Sequence, residues 1–324
     1  MRGIWARIDP IVRLLLAAML LATVFPVVEV WRDFAQSVTT ICVFLLFLIY
    51  GLKLSRAEVR IGMRNHRLLY PLLGFVFGVM VLAGWLIWRG VAGYLAPSLA
   101  LGFLFVGVLP STVQSATVYT SLARGNVASS VVAAALVNIA GVFISAPLFA
   151  LLAGGKAAGV NSGALIKVLT TLLLPFVIGQ VLQGWLWPKL RQFPRVVMMA
   201  DRSSLGIAVY IAFSGAVVDG LWTKLGLGAW AAILIGCAVL LLVGYGGAWL
   251  LGGILRLTRG DQIAMLFAGA QKSAVVGVPL ASVLFHPAVA GMVMIPLLTY
   301  HLAQMLVAAP IAGRLARGGH TSSF

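Results

Sequence analysis

The chain alternates between long apolar runs and short polar segments along almost its whole length. Ten of the runs are long enough, at about 20 residues, to cross the hydrocarbon core of a bilayer as helices. They lie at 10–28, 35–54, 68–88, 95–122, 127–153, 163–187, 203–222, 229–255, 262–285 and 288–314. The polar segments between them are too short to fold as a soluble domain. The pattern therefore predicts an all-α polytopic membrane protein with ten transmembrane helices, whose function lies within the membrane.

Composition excludes several other classes of protein. Of the 324 residues, 62% are hydrophobic and 9% are charged, whereas about 25% are charged in a typical soluble domain. A soluble enzyme, a disordered chain and a disulfide-rich secreted scaffold are therefore excluded. The net charge of +16 does not indicate nucleic-acid binding, because the basic residues form short clusters between the apolar runs. No catalytic constellation or metal-ligand spacing occurs, so we expect no enzymatic activity and no cofactor beyond a coupling ion, sodium or proton.

The distribution of the cations predicts the orientation of the chain. If the N-terminus is cytoplasmic, 17 Lys and Arg residues lie in inside segments and 5 lie in outside loops. Because cytoplasmic loops carry the excess of positive charge, we expect both termini in the cytoplasm, and the short loops suit a bacterial inner (plasma) membrane. The seven acidic residues lie in loops or at the ends of spans. A carboxylate at membrane depth, which most proton-driven pumps use, is therefore missing.

Two of the predicted spans are interrupted by polar residues. In the fourth span (95–122), Pro110 opens a polar cluster whose other members are Ser111, Thr112, Gln114, Ser115 and Thr117. In the ninth span (262–285), the interrupting residues are Gly269, Gln271, Lys272, Ser273, Gly277 and Pro279. Proline removes a backbone donor and glycine weakens a helix, so we predict helix breaks at Pro110, Gly269, Gly277 and Pro279. Unwound backbone at this depth is tolerated only where it lines a cavity or is buried in protein.

The two interrupted spans also resemble each other. Each has a glutamine at its centre, and Gln114 and Gln271 are about half the chain length apart. Five spans in each half (1–153 and 154–324) predict two repeats of inverted topology, and paired interruptions in such repeats indicate the binding site of a secondary transporter. The alternative is that the Gly, Pro and Ser residues only kink the helices or help them to pack.

Lys272 is the most informative single residue of the sequence. It is the one charged residue at membrane depth, and a cation at the centre of a transmembrane helix costs about 2.5–3.5 kcal/mol on insertion scales. The side chain could snorkel to the membrane surface, but Lys272 lies about ten residues into its span, too far to reach water easily. We therefore expect a functional lysine that faces a cavity.

Weaker candidates lie in the fifth and tenth spans. Ser130 and Asn138 share one face of the fifth span, and His301 and Gln304 are one turn apart in the tenth, next to Tyr300. Polar residues of this kind contact a substrate or a proton in some transporters. They serve equally well as hydrogen-bonding contacts between helices.

Four segments carry a resemblance to a known family. They are FLIYGLKLSR at 47–56, LPSTVQSATVYTSLARGNV at 109–127, DQIAMLFAGAQKSAVVGVPLASVLF at 261–285 and IPLLTYHLAQMLVAA at 295–309. With these motifs, nearly the whole chain resembles the bile acid:sodium symporter superfamily (solute carrier family 10). Within it, the chain is similar to the branch of bacterial symporters related to the seventh human member.

The resemblance implies a fold and a place for the substrate. Ten helices would form a panel domain and a core domain, each drawn from both repeats. The discontinuous fourth and ninth helices would cross in the core, and the substrate would bind beside that crossing.

The resemblance also implies where sodium would bind in the sodium-coupled members. Their ninth helix carries a Glu-x-Gly-x-Gln-Asn motif, which falls here on Phe267, Gly269, Gln271 and Lys272. The Gly and Gln match, whereas Phe267 replaces the acidic ligand and Lys272 replaces the Asn. The helix 4 ligands fall near Ser115 and Thr117, and a serine of helix 5 falls on Ser130.

The departures at Phe267 and Lys272 put sodium coupling in doubt, because a lysine ammonium repels a sodium ion at short range in a low dielectric. We hypothesise that Lys272 occupies the place of a sodium ion, and either binds an anionic substrate or couples transport to protons by releasing its own. The leading prediction is a secondary transporter that moves a small organic anion by alternating access. The alternatives are a sodium-coupled symporter with rearranged ligands, including Gln271 and Gln114, and a channel or regulatory membrane protein. The predicted partners are the lipid bilayer and the small-molecule anion, and no oligomeric state is indicated.

Overall fold

The computed structural model describes residues 10–53, 65–154 and 162–317, and within these ranges it contains helices and no strand. The first six helices are α1 (Pro10–Val24), α2 (Arg32–Lys53), α3 (His66–Val91), α4 (Pro97–Val108), α5 (Val113–Leu122) and α6 (Val127–Leu152). Next comes α7, which runs as Ser162–Val168, Leu169–Leu173 and Leu174–Leu190. The rest are α8 (Pro194–Val218), α9 (Leu221–Lys224), α10 (Leu227–Ile254), α11 (Arg259–Ala270), α12 (Ala274–Leu284) and α13 (Pro287–Arg317).

The helices make this a multi-pass membrane protein. Among the described residues, eight helical stretches are long and apolar enough to cross a membrane, or nine if the bent pair α4 and α5 is one span. The first predicted span, 10–28, is shorter than expected. Its helix α1 has 15 residues and ends at Val24, because Pro26 disfavours helical geometry in the residue before it. The count of ten spans therefore stays a prediction, as does the inverted repeat.

One predicted span has different ends in the structure. Pro194 starts α8 nine residues before the predicted start at 203, as a proline in the first turn favours. The helix ends at Val218, and Gly220, two residues later, has a φ of +79°. Asp201, expected at the end of a span, consequently lies inside α8. Its carboxylate pairs with Lys53 at 2.8 Å and accepts a hydrogen bond from Tyr50 at 3.1 Å.

Several of the cations counted for the predicted orientation, on either side of the membrane, lie outside the described residues. They are Arg2, Arg7, Arg56, Arg60, Arg64 and Lys156, and the acidic residues Asp9 and Glu58 lie there too. The orientation of the termini therefore stays a prediction.

The described residues fall into two compact units. Unit 1 comprises 10–53, 162–226 and 278–294, and unit 2 comprises 65–154, 227–277 and 295–317. Each unit contains segments from both halves of the chain. In unit 1, α2 packs against α7 and α8, and α8 also packs against α1. The residues that sequence analysis singled out for chemistry lie in unit 2, apart from the predicted break at Pro279.

Unit 2 is built around α11. This helix packs against α5, α6 and α10, while α3 packs along α4. Two helices of the unit contain one wider, π-helical turn each, at Phe75–Val79 in α3 and at Val243–Gly247 in α10. Such turns often lie at functional sites, and both lie next to the breaks described below.

Both predicted interruptions exist, but not every predicted breaking residue causes one. Helix α4 ends at Val108 and α5 begins at Val113 with a bend of 62°, so Pro110 lies in the break. The second break comprises residues 271–273 alone. Gly269 lies in the last turn of α11, so it precedes the break.

Gly277 and Pro279 lie inside α12, so their prediction as breaks is wrong. Gly277 is needed for close packing instead. A Cβ at this position would lie 2.6 Å from Leu109 Cδ1 and 2.7 Å from Leu297 Cδ2. Pro279 is accommodated in the second turn of α12, because transmembrane helices tolerate proline where surrounding groups satisfy the freed backbone.

Candidate functional site

The two breaks contact each other in unit 2. The backbone N–H of Ser273 donates to the carbonyl oxygen of Pro110 at 3.0 Å. The Ser273 hydroxyl also accepts from the N–H of Val276 at 3.2 Å, which satisfies an orphan donor in the first turn of α12. One serine therefore links the breaks and starts the next helix.

The first break follows from its proline. A residue before proline is pushed out of the helical region, and Leu109 has extended geometry with a ψ of 147°. The carbonyls at the end of a helix lack intrahelical partners. Of these, the Val106 oxygen accepts from the N–H of Leu109 at 3.3 Å, and the Val108 oxygen accepts from the Ser145 hydroxyl at 2.8 Å.

The second break contains no proline and is held by side chains of α13. Gln304 pairs with both backbone groups of Lys272: its Oε1 accepts from the N–H at 2.8 Å, and its Nε2 donates to the carbonyl oxygen at 3.1 Å. Tyr300 donates to the carbonyl oxygen of Ala270, the last residue of α11, at 2.6 Å. These bonds replace the helical partners that the break removes.

The side chain of Lys272 ends among backbone carbonyls. It is fully buried, and its Nζ lies 2.8 Å from the oxygen of Gly107, 2.8 Å from that of Leu109 and 3.3 Å from that of Val76. An ammonium has three donors and no acceptor, so three carbonyls match it in number. The C-terminal end of α4, which supplies Gly107, also carries the negative end of a helix dipole.

The wider turn in α3 makes the third acceptor available. In an α-helix the Val76 carbonyl would accept from the N–H of Met80. Here that N–H donates to the oxygen of Phe75 instead. The Val76 oxygen is thereby released from its usual partner and faces the ammonium.

Among the described residues, no acidic side chain pairs with Lys272. The two ion pairs among the described residues are Arg32–Asp219 and Lys53–Asp201, and both lie in unit 1. The predicted cavity-facing position is also not what the structure has, since the ammonium is closed off and its donors are used. In this conformation the Lys272 ammonium is therefore directed at backbone oxygens rather than at a cavity.

Gln271 and Ser115 form the second polar contact between the breaks. Gln271 is fully buried, and its Oε1 accepts a hydrogen bond from the Ser115 hydroxyl. Gln114, the predicted counterpart of Gln271, is instead exposed. The two glutamines therefore do not occupy equivalent surroundings, and the residue after Gln114 makes the contact.

The position at which the resemblance implies an acidic ligand is occupied by Phe267, which belongs to an aromatic cluster. Phe267 is fully buried. Its ring stacks on Tyr119 with centroids 5.8 Å apart, and it meets Tyr245 edge-on at 6.3 Å. The cluster offers a cation no carboxylate at this point.

The remaining predicted residues separate into paired and unpaired groups. His301 is buried and its Nδ1 lies 2.8 Å from Gln304 Nε2, and Ser130 accepts from Thr120 at 3.1 Å. Among the described residues, five buried side-chain atoms of unit 2 other than those of His301 lack a hydrogen-bond partner. They are Ser111 Oγ, Thr112 Oγ1, Thr117 Oγ1, Asn138 Oδ1 and Gln271 Nε2. Buried polar atoms are normally satisfied, so these atoms are candidates for contact with a substrate or water.

Sequence analysis missed the groups that hold Lys272. Val76, Gly107 and Leu109 contribute backbone oxygens, which no residue type reveals. The one partial signal in the sequence is Gly107, a glycine shortly before Pro110. The structure shows why it is small: a Cβ there would lie 2.9 Å from the Met80 oxygen. The glycine lets α4 approach α3, and so brings the Val76 and Gly107 carbonyls to one point.

Comparison with known proteins agrees with the motifs. The profile of the SBF-like CPA transporter family matches residues 9–317. The chain is 34% identical to "Putative symporter YfeH" of Escherichia coli (strain K12) over 320 residues, which cover 96% of this chain and 93% of that protein. It is 24% identical to "Sodium/bile acid cotransporter 7" of Mus musculus over 281 residues, 84% of this chain and 81% of the relative. The predicted resemblance is thus confirmed, and the chain belongs to the SBF-like CPA transporter family of symporter-like membrane proteins.

Proposed function

We propose that this protein is a secondary transporter that moves a small organic anion by alternating access, and that the Lys272 ammonium takes the place of a coupling sodium ion. The observation that carries the proposal is the set of three carbonyl oxygens around Lys272 Nζ. Backbone carbonyls at a break in a helix are the groups that coordinate sodium or protons in transporters. A tethered ammonium offers them the same charge.

The aromatic cluster supports the same proposal. Sodium is a hard cation that benefits from carboxylate oxygen, and Phe267 supplies none where the family motif has Glu. A charged lysine and an aromatic ring together leave sodium without charge compensation at this point. Sodium symport, which the name of the mouse relative carries, is the rival function.

The polarity of the breaks supports an anionic substrate. Helices α5 and α12 both begin at the breaks, and the N-terminal end of a helix carries partial positive charge. The unpaired atoms of Thr112, Thr117 and Asn138 offer hydrogen-bonding groups in the same unit. We further propose an inner-membrane location with both termini cytoplasmic, on the bias of 17 inside cations to 5 outside.

Thermal unfolding of the detergent-purified protein tests this function and requires no identified substrate. Small carboxylates and sulfonates are added one at a time as choline salts, and again as sodium salts at equal ionic strength. A ligand that binds only the folded state raises stability by about 2.7 kcal/mol at a hundredfold excess over Kd. We expect a saturating rise with one class of anion, equal in both series. A rise that requires sodium would support symport instead, and single-channel currents in planar bilayers would support a channel.

A further inference from the structure

The amide of Gln304 has a fixed orientation. Its oxygen accepts from the N–H of Lys272 at 2.8 Å, and its nitrogen donates to the carbonyl oxygen of Lys272 at 3.1 Å. Exchanging the two amide atoms would place donor against donor and acceptor against acceptor. The backbone of Lys272 therefore establishes that the atom facing His301 is the NH₂ group.

This orientation determines the protonation state of His301. Gln304 Nε2 lies 2.8 Å from His301 Nδ1, and an amide nitrogen only donates. His301 Nδ1 must therefore accept, which makes the ring neutral with its hydrogen on Nε2. Nδ1 also lies 3.4 Å from the carbonyl oxygen of Lys272, an acceptor that it can reach only when it carries a hydrogen.

The titratable side chains near this stretch of α13 are few. Lys272 lies in the break itself, Tyr245 of α10 donates to the Gln304 carbonyl oxygen at 3.0 Å, and Tyr119 of α5 donates to that of Met305 at 3.2 Å. On α13, Tyr300 donates to the Ala270 carbonyl oxygen. Among the hydrogen bonds of the described residues in unit 2, the one carboxylate that takes part is Asp261, which binds Asn126 near the start of α11. Of these side chains, His301 is the one of a residue type whose unperturbed pKa lies between pH 5 and 8.

We propose that His301 is a proton-binding site, and that its proton is the coupling ion of the carrier. The inference rests on the proposed function, since a lysine in the place of sodium leaves the transporter in need of another ion. A proton from water adds to the Nδ1 lone pair, and the same proton leaves from Nδ1 later in the cycle. Protonation of Nδ1 places an N–H against the NH₂ of Gln304. The two hydrogen bonds between the Gln304 amide and the Lys272 backbone, here called the clamp, therefore open. The Nδ1–H then turns to the Lys272 carbonyl oxygen.

Lys272 is less suited to carry the proton. All three hydrogens of its ammonium are donated to carbonyl oxygens. If Nζ lost one of them, its lone pair would face a carbonyl oxygen, which would be left without a donor. His301 instead has one nitrogen that accepts in the present conformation and a nearby carbonyl that could accept from it after protonation. The proton and the break that carries Lys272 are coupled through Gln304.

Solid-state NMR of histidine-labelled protein in lipid bilayers tests the site directly. The chain has four histidines, and the signal lost in His301→Gln identifies His301. The matched control is His66→Gln, because His66 is exposed at the start of α3. At pH 8 we expect a neutral ring with its hydrogen on Nε2, which gains a second hydrogen reversibly on acidification. A hydrogen on Nδ1 at pH 8, or no second hydrogen before the protein unfolds, would overturn the proposal.

Thermal unfolding supplies a second readout. Acidification should lower the wild-type midpoint, because the unfolded chain takes up the proton freely whereas the folded chain must open the clamp. His301→Gln keeps an acceptor for Gln304 at every pH, so acidification should lower its midpoint less than that of the wild type. We expect the two falls to differ by about 2–4 °C. Equal falls in the wild type and this variant would contradict the proposal. A sodium-dependent rise in the wild-type midpoint would contradict the proposal that Lys272 replaces sodium, but would not test proton binding at His301. The two proposals can therefore fail separately.

Discussion

Lys272 Nζ and the carbonyl oxygen of Gly107 lie 2.8 Å apart, although the two residues are 165 positions apart in the chain. The contact joins the break after α11 to the end of α4. Because Gly107 also lies against α3, the ammonium, the end of α4 and the wider turn of α3 form one arrangement. A small change at Gly107 should therefore affect the whole site.

Gly107→Ala should destabilise the protein by about 1–3 kcal/mol, the usual cost of overpacking. The new Cβ would lie 2.9 Å from the Met80 oxygen and 3.3 Å from Gly84 Cα, and backbone cannot rotate away as a side chain can. Gly90→Ala in α3 is the matched control, since its Cβ would meet nothing within 4 Å. Thermal unfolding should show a lower midpoint for the first variant and little change for the second. Equal midpoints would contradict the close approach of α3 and α4.

Tyr300→Phe should remove the cap on the last carbonyl of α11. The lost bond, at 2.6 Å to Ala270, leaves a buried acceptor unpaired, which costs about 1–3 kcal/mol. Tyr94→Phe removes a hydroxyl from a side chain that is 86% exposed and should change stability little. Urea or thermal unfolding of the pair measures the difference, and a Tyr300 variant as stable as the Tyr94 variant would argue against the cap.

Ser115→Ala tests the contact between Ser115 and Gln271. Without the hydroxyl, the buried Oε1 of Gln271 loses its donor, and we expect a loss of about 1–3 kcal/mol. Ser121 lies near the end of the same helix and is exposed, so Ser121→Ala should stay within about 0.5 kcal/mol of the wild type. If both serine variants unfold at the wild-type temperature, the polar contact contributes nothing to the crossing of the breaks.

The sequence was sufficient to predict the helical membrane class, both interruptions and the residues around the second one. These features depend on residue type: apolar length, proline, and polar side chains at membrane depth. The sequence singled out Gln271, Lys272, Ser273, His301 and Gln304 as candidates, and the structure brings them together around one break. Their role in binding stays a prediction. The sequence alone could not show that α13 lies beside the end of α11. It did show polar residues at membrane depth in both segments, which made both of them candidates for the site.

The rest depended on backbone geometry, which sequence patterns do not record. The acceptors of Lys272 are carbonyls, and one of them is released by a wider turn in α3 that no residue type specifies. The predicted repeats suggested that Gln114 and Gln271 have equivalent surroundings. In the structure Gln114 is exposed whereas Gln271 is buried. Gly277 and Pro279 were predicted as breaks by their residue type, but tertiary packing accommodates both inside α12.

The most direct test of a tethered cation is to remove it and offer a free one. Lys272→Ala leaves three buried carbonyl oxygens without a donor, so its unfolding midpoint should fall well below that of the wild type. Lys272→Gln, which fills more of the space, serves if the alanine variant does not fold. Thermal unfolding is then followed in choline, sodium and methylammonium chloride at constant ionic strength.

We expect sodium or methylammonium to restore the midpoint of the variant in a saturable way and to leave the wild type unchanged, because Lys272 already fills the site. A saturating sodium-specific rise in the wild type would contradict the account. So would a variant that responds to no cation.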